Sequence, residues 1–122
     1  MKVFIADDSQ IMRERLIDML SDLPEIEIAG QAQDGVEATG LIKKLSPDVV
    51  ILDIRMPNGS GIDVLREIKK NEHAPIVIMI TNYPYPQYQK KCEAAGADYF
   101  FDKATEIGKV TEVLEQLILG FT

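Results

Sequence analysis

Apolar and polar residues alternate in blocks along the whole chain, and the period of the pattern changes from block to block. Five mostly apolar runs predict β-strands, at 2–7, 25–32, 48–53, 75–81 and 98–102. After each run, apolar residues recur at helical spacing, which predicts helices at 10–20, 36–45, 61–71, 87–97 and 106–119. Five such β–α units predict an α/β fold, in which helices cover both faces of a parallel sheet.

The helical spacing also predicts which side chains face the sheet. In the first helix one apolar stripe is predicted to point inward: Ile11, Met12, Leu16, Met19 and Leu20. In the fourth helix, Pro86 suits the first turn and Gly96 suits the C-terminal end.

Length and charge narrow the class of protein. The chain has 122 residues, of which 46% are hydrophobic and 27% charged, so it is long enough for one domain with its own core. A net charge of −7 disfavours direct binding to nucleic acid, because phosphate backbones would be repelled. A single cysteine, no signal-peptide pattern and no apolar run near the roughly 18 residues of a membrane span predict a cytoplasmic protein.

Several reactive side chains stand where the predicted strands end. Asp7 and Asp8 end the first strand, Asp53 ends the third, Thr81 ends the fourth and Lys103 follows the fifth. In open parallel sheets, ligands bind at the carboxyl ends of the strands. We therefore expect three carboxylates, a hydroxyl and an amine to meet at one edge of the sheet.

Each of these residues also has an ordinary structural explanation. Asp8 or Ser9 could cap the first helix, Thr81 could serve a turn, and Lys103 could be solvated. Their joint appearance at one edge favours a shared chemical role. Three carboxylates attract a hard divalent cation such as Mg²⁺, and a carboxylate beside Mg²⁺ can attack phosphorus. A lysine and a threonine would then hold the phosphoryl oxygens.

These residues stand in motifs that resemble the receiver domain of bacterial two-component response regulators. The motifs are IADDS at 5–9, VILDIRMPNGSGID at 50–63, MIT at 79–81, GAD at 96–98 and FFDK at 100–103. The resemblance extends over nearly the whole chain, so we expect residues 1–122 to form one receiver domain. It implies a flavodoxin-like, doubly wound sheet of five parallel strands in the order 2-1-3-4-5.

The resemblance also assigns the residues of a phosphoacceptor site with Mg²⁺. Asp53 matches the phosphoacceptor, Asp8 the acid that contacts the metal directly, and Asp7 the acid that acts through water. Arg55 would offer its backbone carbonyl to the metal. No other cofactor is implied.

A switch between two states is implied as well. Thr81 and Lys103 match the pair that binds the phosphoryl group, and Phe100 matches the aromatic switch position. The face formed by helix four, strand five and helix five is then expected to contact a partner protein. A ring without a hydroxyl, such as Phe100, enters an apolar pocket without leaving a donor unpaired.

The function that the resemblance implies is a signalling switch, not an enzyme acting on a separate substrate. Its expected partners are a histidine kinase or phosphotransfer protein and a downstream protein, without nucleic acid or membrane. A monomer or a weak, phosphorylation-dependent dimer is expected. Because the chain ends at LILGFT, we expect a single-domain regulator; the receiver portion of a longer DNA-binding regulator is the alternative.

Two further classes fit the pattern less well. A phosphatase of the haloacid dehalogenase type would place a second aspartate two residues after the nucleophile, where this chain has Arg55. A flavodoxin-like FMN or nucleotide binder would need a phosphate-binding loop after strand one, and DDSQ at 7–10 is acidic instead.

Three departures from the family pattern surround the site. Asn82 stands where alanine or glycine is usual, Ala104 replaces the usual proline, and YPYPQY at 83–88 precedes the fourth helix. Arg55, Asn82 and Tyr83 are predicted to flank the path of the attacking water. We therefore expect a crowded acceptor that is phosphorylated slowly and keeps its phosphoryl group for long.

Overall fold

A computed structural model describes residues 1–120, so the last two residues of the predicted domain lie outside the described residues. The strands are β1 (Lys2–Ala6), β2 (Glu27–Ala32), β3 (Val49–Asp53), β4 (Ile76–Thr81) and β5 (Tyr99–Asp102). The helices are α1 (Gln10–Leu20), α2 (Gly35–Leu45), α3 (Gly61–Ile68), α4 (Pro86–Ala94) and α5 (Gly108–Gly120). The predicted alternation of strands and helices is confirmed.

The five strands form one parallel sheet in the order β2-β1-β3-β4-β5. This confirms the predicted doubly wound fold. All five residues of β3 are buried, as expected for a central strand with a continuous apolar sequence. The order reverses between β1 and β3, and ligands bind at such a point in open α/β sheets.

Each face of the sheet has its own apolar core. On one face, Val50 and Leu52 of β3 pack with buried side chains of α2, α3 and α4. On the other, Val49 and Ile51 pack with buried side chains of α1 and α5. Alternate residues of one strand thus serve both cores, as the two-residue period of a strand requires.

The helix N-caps show which polar residues near the strand ends are used for capping. The Ser9 hydroxyl accepts from the Met12 N–H at 3.2 Å, so Ser9 is the N-cap of α1. Asp8 is therefore not the cap. Pro86 begins α4, as predicted, and Gly96 follows that helix with a φ of +97°, a conformation that glycine adopts at little cost.

Some predicted details are wrong. Ile11 is 80% exposed rather than inward, because it precedes the buried Leu16 by five residues, about 140° around a helix. Helix α3 ends at Ile68 and not at residue 71, since the polar residues after Ile68 give it no further apolar face to bury. Helix α4 ends at Ala94, three residues before its predicted end.

No helix described between residues 1 and 120 is both long and apolar enough to cross a membrane.

Candidate functional site

Three carboxylates meet at the carboxyl edge of the sheet. One oxygen atom from each of Asp7, Asp8 and Asp53 lies within 4.8 Å of the others. Strands β1 and β3 pair directly, so the residues that end them emerge side by side. Asp7 is fully buried and Asp53 is 5% exposed, whereas Asp8 is exposed. The side of the cluster formed by Asp8 therefore faces solvent.

The amine of Lys103 reaches this cluster from the end of β5, an outer strand of the sheet. Lys103 follows β5, and its Nζ lies 2.6 Å from Asp7 Oδ2 and 3.1 Å from Asp53 Oδ2. Its side chain is only 4% exposed. Burial opposes the charged ammonium, but the two carboxylates outweigh that effect and raise the pKa of Lys103 above its ordinary value. The lysine is thus held protonated between two acids.

One amine does not balance three carboxylates. Burial is the main cause that raises the pKa of Asp53 to about 6; Lys103 partly offsets it, and the charges of Asp7 and Asp8 add to it. Asp7 Oδ1 accepts from the Ser9 N–H at 2.9 Å. Asp7 Oδ2, although paired with Lys103, accepts no hydrogen bond of good geometry within residues 1–120.

This excess of negative charge fits a hard divalent cation. Mg²⁺ binds carboxylate oxygens and retains several waters, and it would compensate both the mutual repulsion and the under-coordinated oxygen of Asp7. The exposed side of the cluster, at Asp8, leaves room for such waters. The three carboxylates are therefore a donor set that could hold a divalent metal ion.

Thr81 ends β4, the strand between the acidic cluster and the strand that precedes Lys103. The residue is fully buried, and its hydroxyl oxygen accepts from the Tyr83 N–H at 2.9 Å. Its carbonyl accepts from the Lys103 N–H at 2.9 Å, which joins the ends of β4 and β5. A hydroxyl that already accepts one bond still has its own proton to donate to a ligand.

Phe100 lies farther back, within β5, where it pairs with Met79 of β4. It is half-buried and packs against the core on the α2, α3 and α4 face. The predicted switch residue is therefore not part of the acidic cluster, but it lies in the strand that leads to Lys103.

The Arg55 side chain takes an unexpected direction. Its guanidinium carbon lies 3.8 Å from the centre of the Tyr83 ring, and Nη2 donates to the Tyr88 hydroxyl at 3.3 Å. It forms no ion pair with the nearby carboxylates within the described chain. Asn82, the other predicted flanking residue, is exposed.

Comparison with known proteins places this architecture in a family. Residues 3–115 match the response regulator receiver domain. The chain belongs to the response regulator receiver family. Its receiver domain is 35% identical to the chemotaxis protein CheY of Halobacterium salinarum over 117 residues, which cover 96% of both proteins.

A second group of relatives is much longer. The receiver domain is 44% identical over 78 residues to a protein-glutamate methylesterase/protein-glutamine glutaminase of Pyrococcus horikoshii. That match covers 64% of this chain and 21% of the relative. The aligned region thus spans about a fifth of the methylesterase.

Solved structures agree with the receiver fold. The response regulator domain of Thermotoga maritima CheB matches with a TM-score of 0.85 and 31% identity, over 98% of this chain and 94% of that one. The CheX–CheY–BeF3–Mg complex of Borrelia burgdorferi matches with a TM-score of 0.86 and 31% identity, over 96% and 88%. Receiver domains of this family typically bind Mg²⁺ and act as signalling switches.

Arg13 is a site residue of this receiver domain that sequence reasoning missed. Its Nη1 donates to the Asp7 carbonyl at 2.7 Å, and its Nε donates to Gln31 Oε1 at 2.9 Å. It thereby ties α1 to the ends of β1 and β2. The available clue was its position one turn after Ser9, on the helix that follows the acidic pair.

Glycine is required at position 61 because the start of α3 lies very close to the backbone of Asp53 at the end of β3. A Cβ atom at this position would lie 1.9 Å from the Asp53 carbonyl oxygen. The Gly61 N–H donates to the Ile54 carbonyl at 2.7 Å, so α3 begins directly against the end of β3. Any larger residue would displace the backbone that carries Asp53.

Proposed function

We propose that this receiver domain is a phosphorylation-dependent switch whose phosphoacceptor is Asp53. The observation that carries the proposal is the buried cluster at the carboxyl edge, where Asp53 lies beside two further carboxylates and 3.1 Å from the amine of Lys103. Family membership supports the same assignment. The domain transfers a phosphoryl group to itself and does not act on a separate substrate.

The step is an in-line displacement at phosphorus. An Asp53 carboxylate oxygen attacks the phosphorus of a phosphohistidine on a histidine kinase or phosphotransfer protein. The new O–P bond forms as the N–P bond breaks, and the departing imidazole takes a proton from solvent. Lys103 and the Thr81 hydroxyl stabilise the phosphoryl oxygens, because both are held at this edge with a proton to donate.

Mg²⁺ would be held by the Asp8 and Asp53 carboxylates and the Arg55 carbonyl, with Asp7 acting through water. When bound, it supplies positive charge to the phosphoryl oxygens. Attack needs the ionised form of Asp53, and burial alone disfavours that form. A cation at the cluster and the amine of Lys103 both favour it.

The output is a change on the face formed by α4, β5 and α5, which then contacts a downstream protein. Phosphorylation would draw the Thr81 hydroxyl from the Tyr83 N–H towards the phosphoryl group, and Phe100 would pack further inward. Thr81 and Phe100 lie on the neighbouring strands β4 and β5, which supports such a linked movement.

A second candidate concerns the kind of target. The match to about a fifth of the methylesterase supports a receiver that controls an effector domain in its own chain. The near-complete match to a CheY protein supports a separate protein target, which we favour. The phosphoacceptor chemistry is the same in both.

The acceptor is tested by incubating the protein with a small acyl phosphate and Mg²⁺ and measuring its intact mass. We expect one added phosphoryl group, mapped to Asp53 by peptide analysis. Asp53→Asn should abolish the addition, and Asp8→Asn should weaken Mg²⁺ binding. Asp98→Asn is the matched control, since Asp98 lies just before β5 at the opposite edge of the sheet. Labelling that persists in Asp53→Asn would show that the acceptor is elsewhere.

A further inference from the structure

Three tyrosines form a row next to the acceptor edge. Tyr83 and Tyr85 lie in the loop between β4 and α4, and Tyr88 lies in the first turn of α4. Their ring centres are 6.1 Å apart between Tyr83 and Tyr85 and 5.6 Å apart between Tyr85 and Tyr88. We call these residues the tyrosine row. Arg55, two residues after Asp53, binds the row at both ends, over the Tyr83 ring and at the Tyr88 hydroxyl.

The Arg55 guanidinium contacts neutral tyrosine side chains, although acidic residues lie close to it in sequence. The side chain is exposed and uses one hydrogen bond, to a phenol, of the five donors that a guanidinium carries. Aromatic contacts of an exposed cation are weak, whereas a bidentate pair with a phosphoryl group is strong and matches the planar geometry of arginine. A new anion at Asp53 would therefore compete well for Arg55.

The loop that carries Tyr83 and Tyr85 is exposed, whereas Tyr88 is half-buried and packs against the core on the α2, α3 and α4 face. Residues 82–87 are exposed, and Tyr85, the N-cap of α4, makes no capping hydrogen bond with its side chain. Within residues 1–120, the Tyr83 N–H donates to the Thr81 hydroxyl, and the Arg55 guanidinium lies over the Tyr83 ring and also donates to the Tyr88 hydroxyl in the first turn of α4. The Thr81 hydroxyl and the Arg55 guanidinium can both turn towards a phosphoryl oxygen.

We propose that Arg55 is a readout residue that carries the state of Asp53 to the start of α4. Without a phosphoryl group, its guanidinium rests on the tyrosine row. When Asp53 is phosphorylated, the guanidinium moves to a phosphoryl oxygen and releases Tyr88 and the first turn of α4. This link acts beside the Thr81 contact and rests on the proposed phosphoacceptor function.

NMR signals of the tyrosine rings can report whether Arg55 leaves the tyrosine row. The chain has no tryptophan and four tyrosines, and only Tyr99 lies outside the row. Beryllofluoride with Mg²⁺ serves as the phosphoryl mimic, and fluorine NMR reports its binding independently of any tyrosine. Ring-labelled tyrosine NMR then follows each ring by itself. Tyr88 is the decisive reporter, because Arg55 touches it and the Thr81 hydroxyl does not.

We expect the mimic to shift the Tyr88 ring signal in the native protein. In Arg55→Gln, the Tyr88 signal should already be displaced without the mimic and should change little on its addition, while fluorine NMR still shows bound mimic. Arg66→Gln is the matched control, since Arg66 lines the same groove as Arg55 but, within residues 1–120, makes no hydrogen bond or cation–π contact with the three tyrosines.

The possible failures are distinguishable. If fluorine NMR shows no bound mimic in the native protein, the proposed phosphoacceptor function fails. If the mimic binds and Tyr88 shifts equally in the native protein and in Arg55→Gln, or shifts in neither, the readout role of Arg55 is wrong. If Arg55→Gln alone prevents the mimic from binding, Arg55 belongs to the acceptor site itself, which also overturns the readout role.

Discussion

Carboxylates at the two edges of the sheet have opposite surroundings. The five parallel strands begin at one edge, the amino edge, and end at the other, the carboxyl edge. At the amino edge, Asp48 Oδ2 accepts from the Lys2 N–H at 2.7 Å. Asp98 Oδ2 accepts from the Val77 N–H at 2.8 Å and pairs with the Lys69 amine at 2.9 Å. Each acid there satisfies a donor at the start of a strand, and the two acids hold the strand ends in register.

At the carboxyl edge, three acids share one amine. Lys103 contacts both Asp7 and Asp53, and Asp7 Oδ2 still lacks a well-aligned hydrogen bond within residues 1–120. Buried charge that is left partly uncompensated lowers stability. The acids of the amino edge thus stabilise the fold, whereas those of the carboxyl edge carry a cost in stability that the proposed cation and phosphoryl group would offset.

The largest expected effect comes from removing the buried amine of the carboxyl edge. Lys103→Met keeps the length of the side chain but leaves Asp7 and Asp53 buried without their partner. The free energy of unfolding should fall by about 3 to 5 kcal/mol at neutral pH in EDTA. Urea denaturation followed by circular dichroism measures this loss.

Lys109→Met is the control for that variant. Lys109, in the first turn of α5, pairs with Glu106 at 2.6 Å where solvent screens both charges, so its removal should have little effect on stability. Equal losses in the two variants would contradict the view that Lys103 compensates buried charge.

The next largest effect has the opposite sign. Asp53→Asn should raise the free energy of unfolding at pH 7.5 in EDTA, by up to about 3 kcal/mol, because it removes an acid whose pKa burial raises from 3.8 to about 6. The variant keeps the pair between Lys103 and Asp7. Urea denaturation at pH 4.5 and pH 7.5 compares the two proteins.

The direction of the pH effect follows from the raised pKa of Asp53. Below its ordinary value of 3.8 the acid is protonated in both the folded and unfolded states, so its ionisation has no effect on stability. As the pH rises through 3.8 towards about 6, the unfolded state ionises first and stability falls. The advantage of Asp53→Asn should therefore grow from pH 4.5 to pH 7.5, and an advantage that is equal at both would refute this cause.

The smallest expected effect is at the amino edge. Asp98→Asn keeps an oxygen that accepts from the Val77 N–H but loses the ion pair with Lys69. Because the side chain is 39% exposed, solvent screens that pair, and we expect a loss of about 0.5 to 1 kcal/mol. Parallel denaturation of Asp98→Asn and Asp53→Asn tests the comparison: stabilisation by both, or destabilisation by both, would break it.

The fold was largely predictable because local patterns of apolar residues identify most of the strands and helices. The short apolar run at 49–52 is typical of a strand buried on both faces, and the alternation of such runs with amphipathic segments leaves few topologies. The order of the strands came from the family resemblance. Ile11 shows the limit, since a residue adjoining an apolar stripe in sequence can still face solvent.

The candidate site was predictable in position and less so in detail. The rule that the ends of parallel strands converge is enough to bring Asp7, Asp53 and Lys103 together from the sequence alone. The direction of the Arg55 side chain was not predictable, because it depends on tyrosines 28 and 33 residues away in sequence, in a loop with no regular pattern. The functional roles of the site residues remain predictions.

We expect the carboxyl edge, unlike the amino edge, to bind a divalent cation. Thermal unfolding with and without Mg²⁺, at matched ionic strength, tests this expectation most directly. At a concentration 100 times its dissociation constant, Mg²⁺ should stabilise the native protein by about 2.7 kcal/mol. Asp98→Asn should gain as much, and Asp53→Asn should gain far less. An equal gain in Asp53→Asn, or no gain in the native protein, would contradict the account.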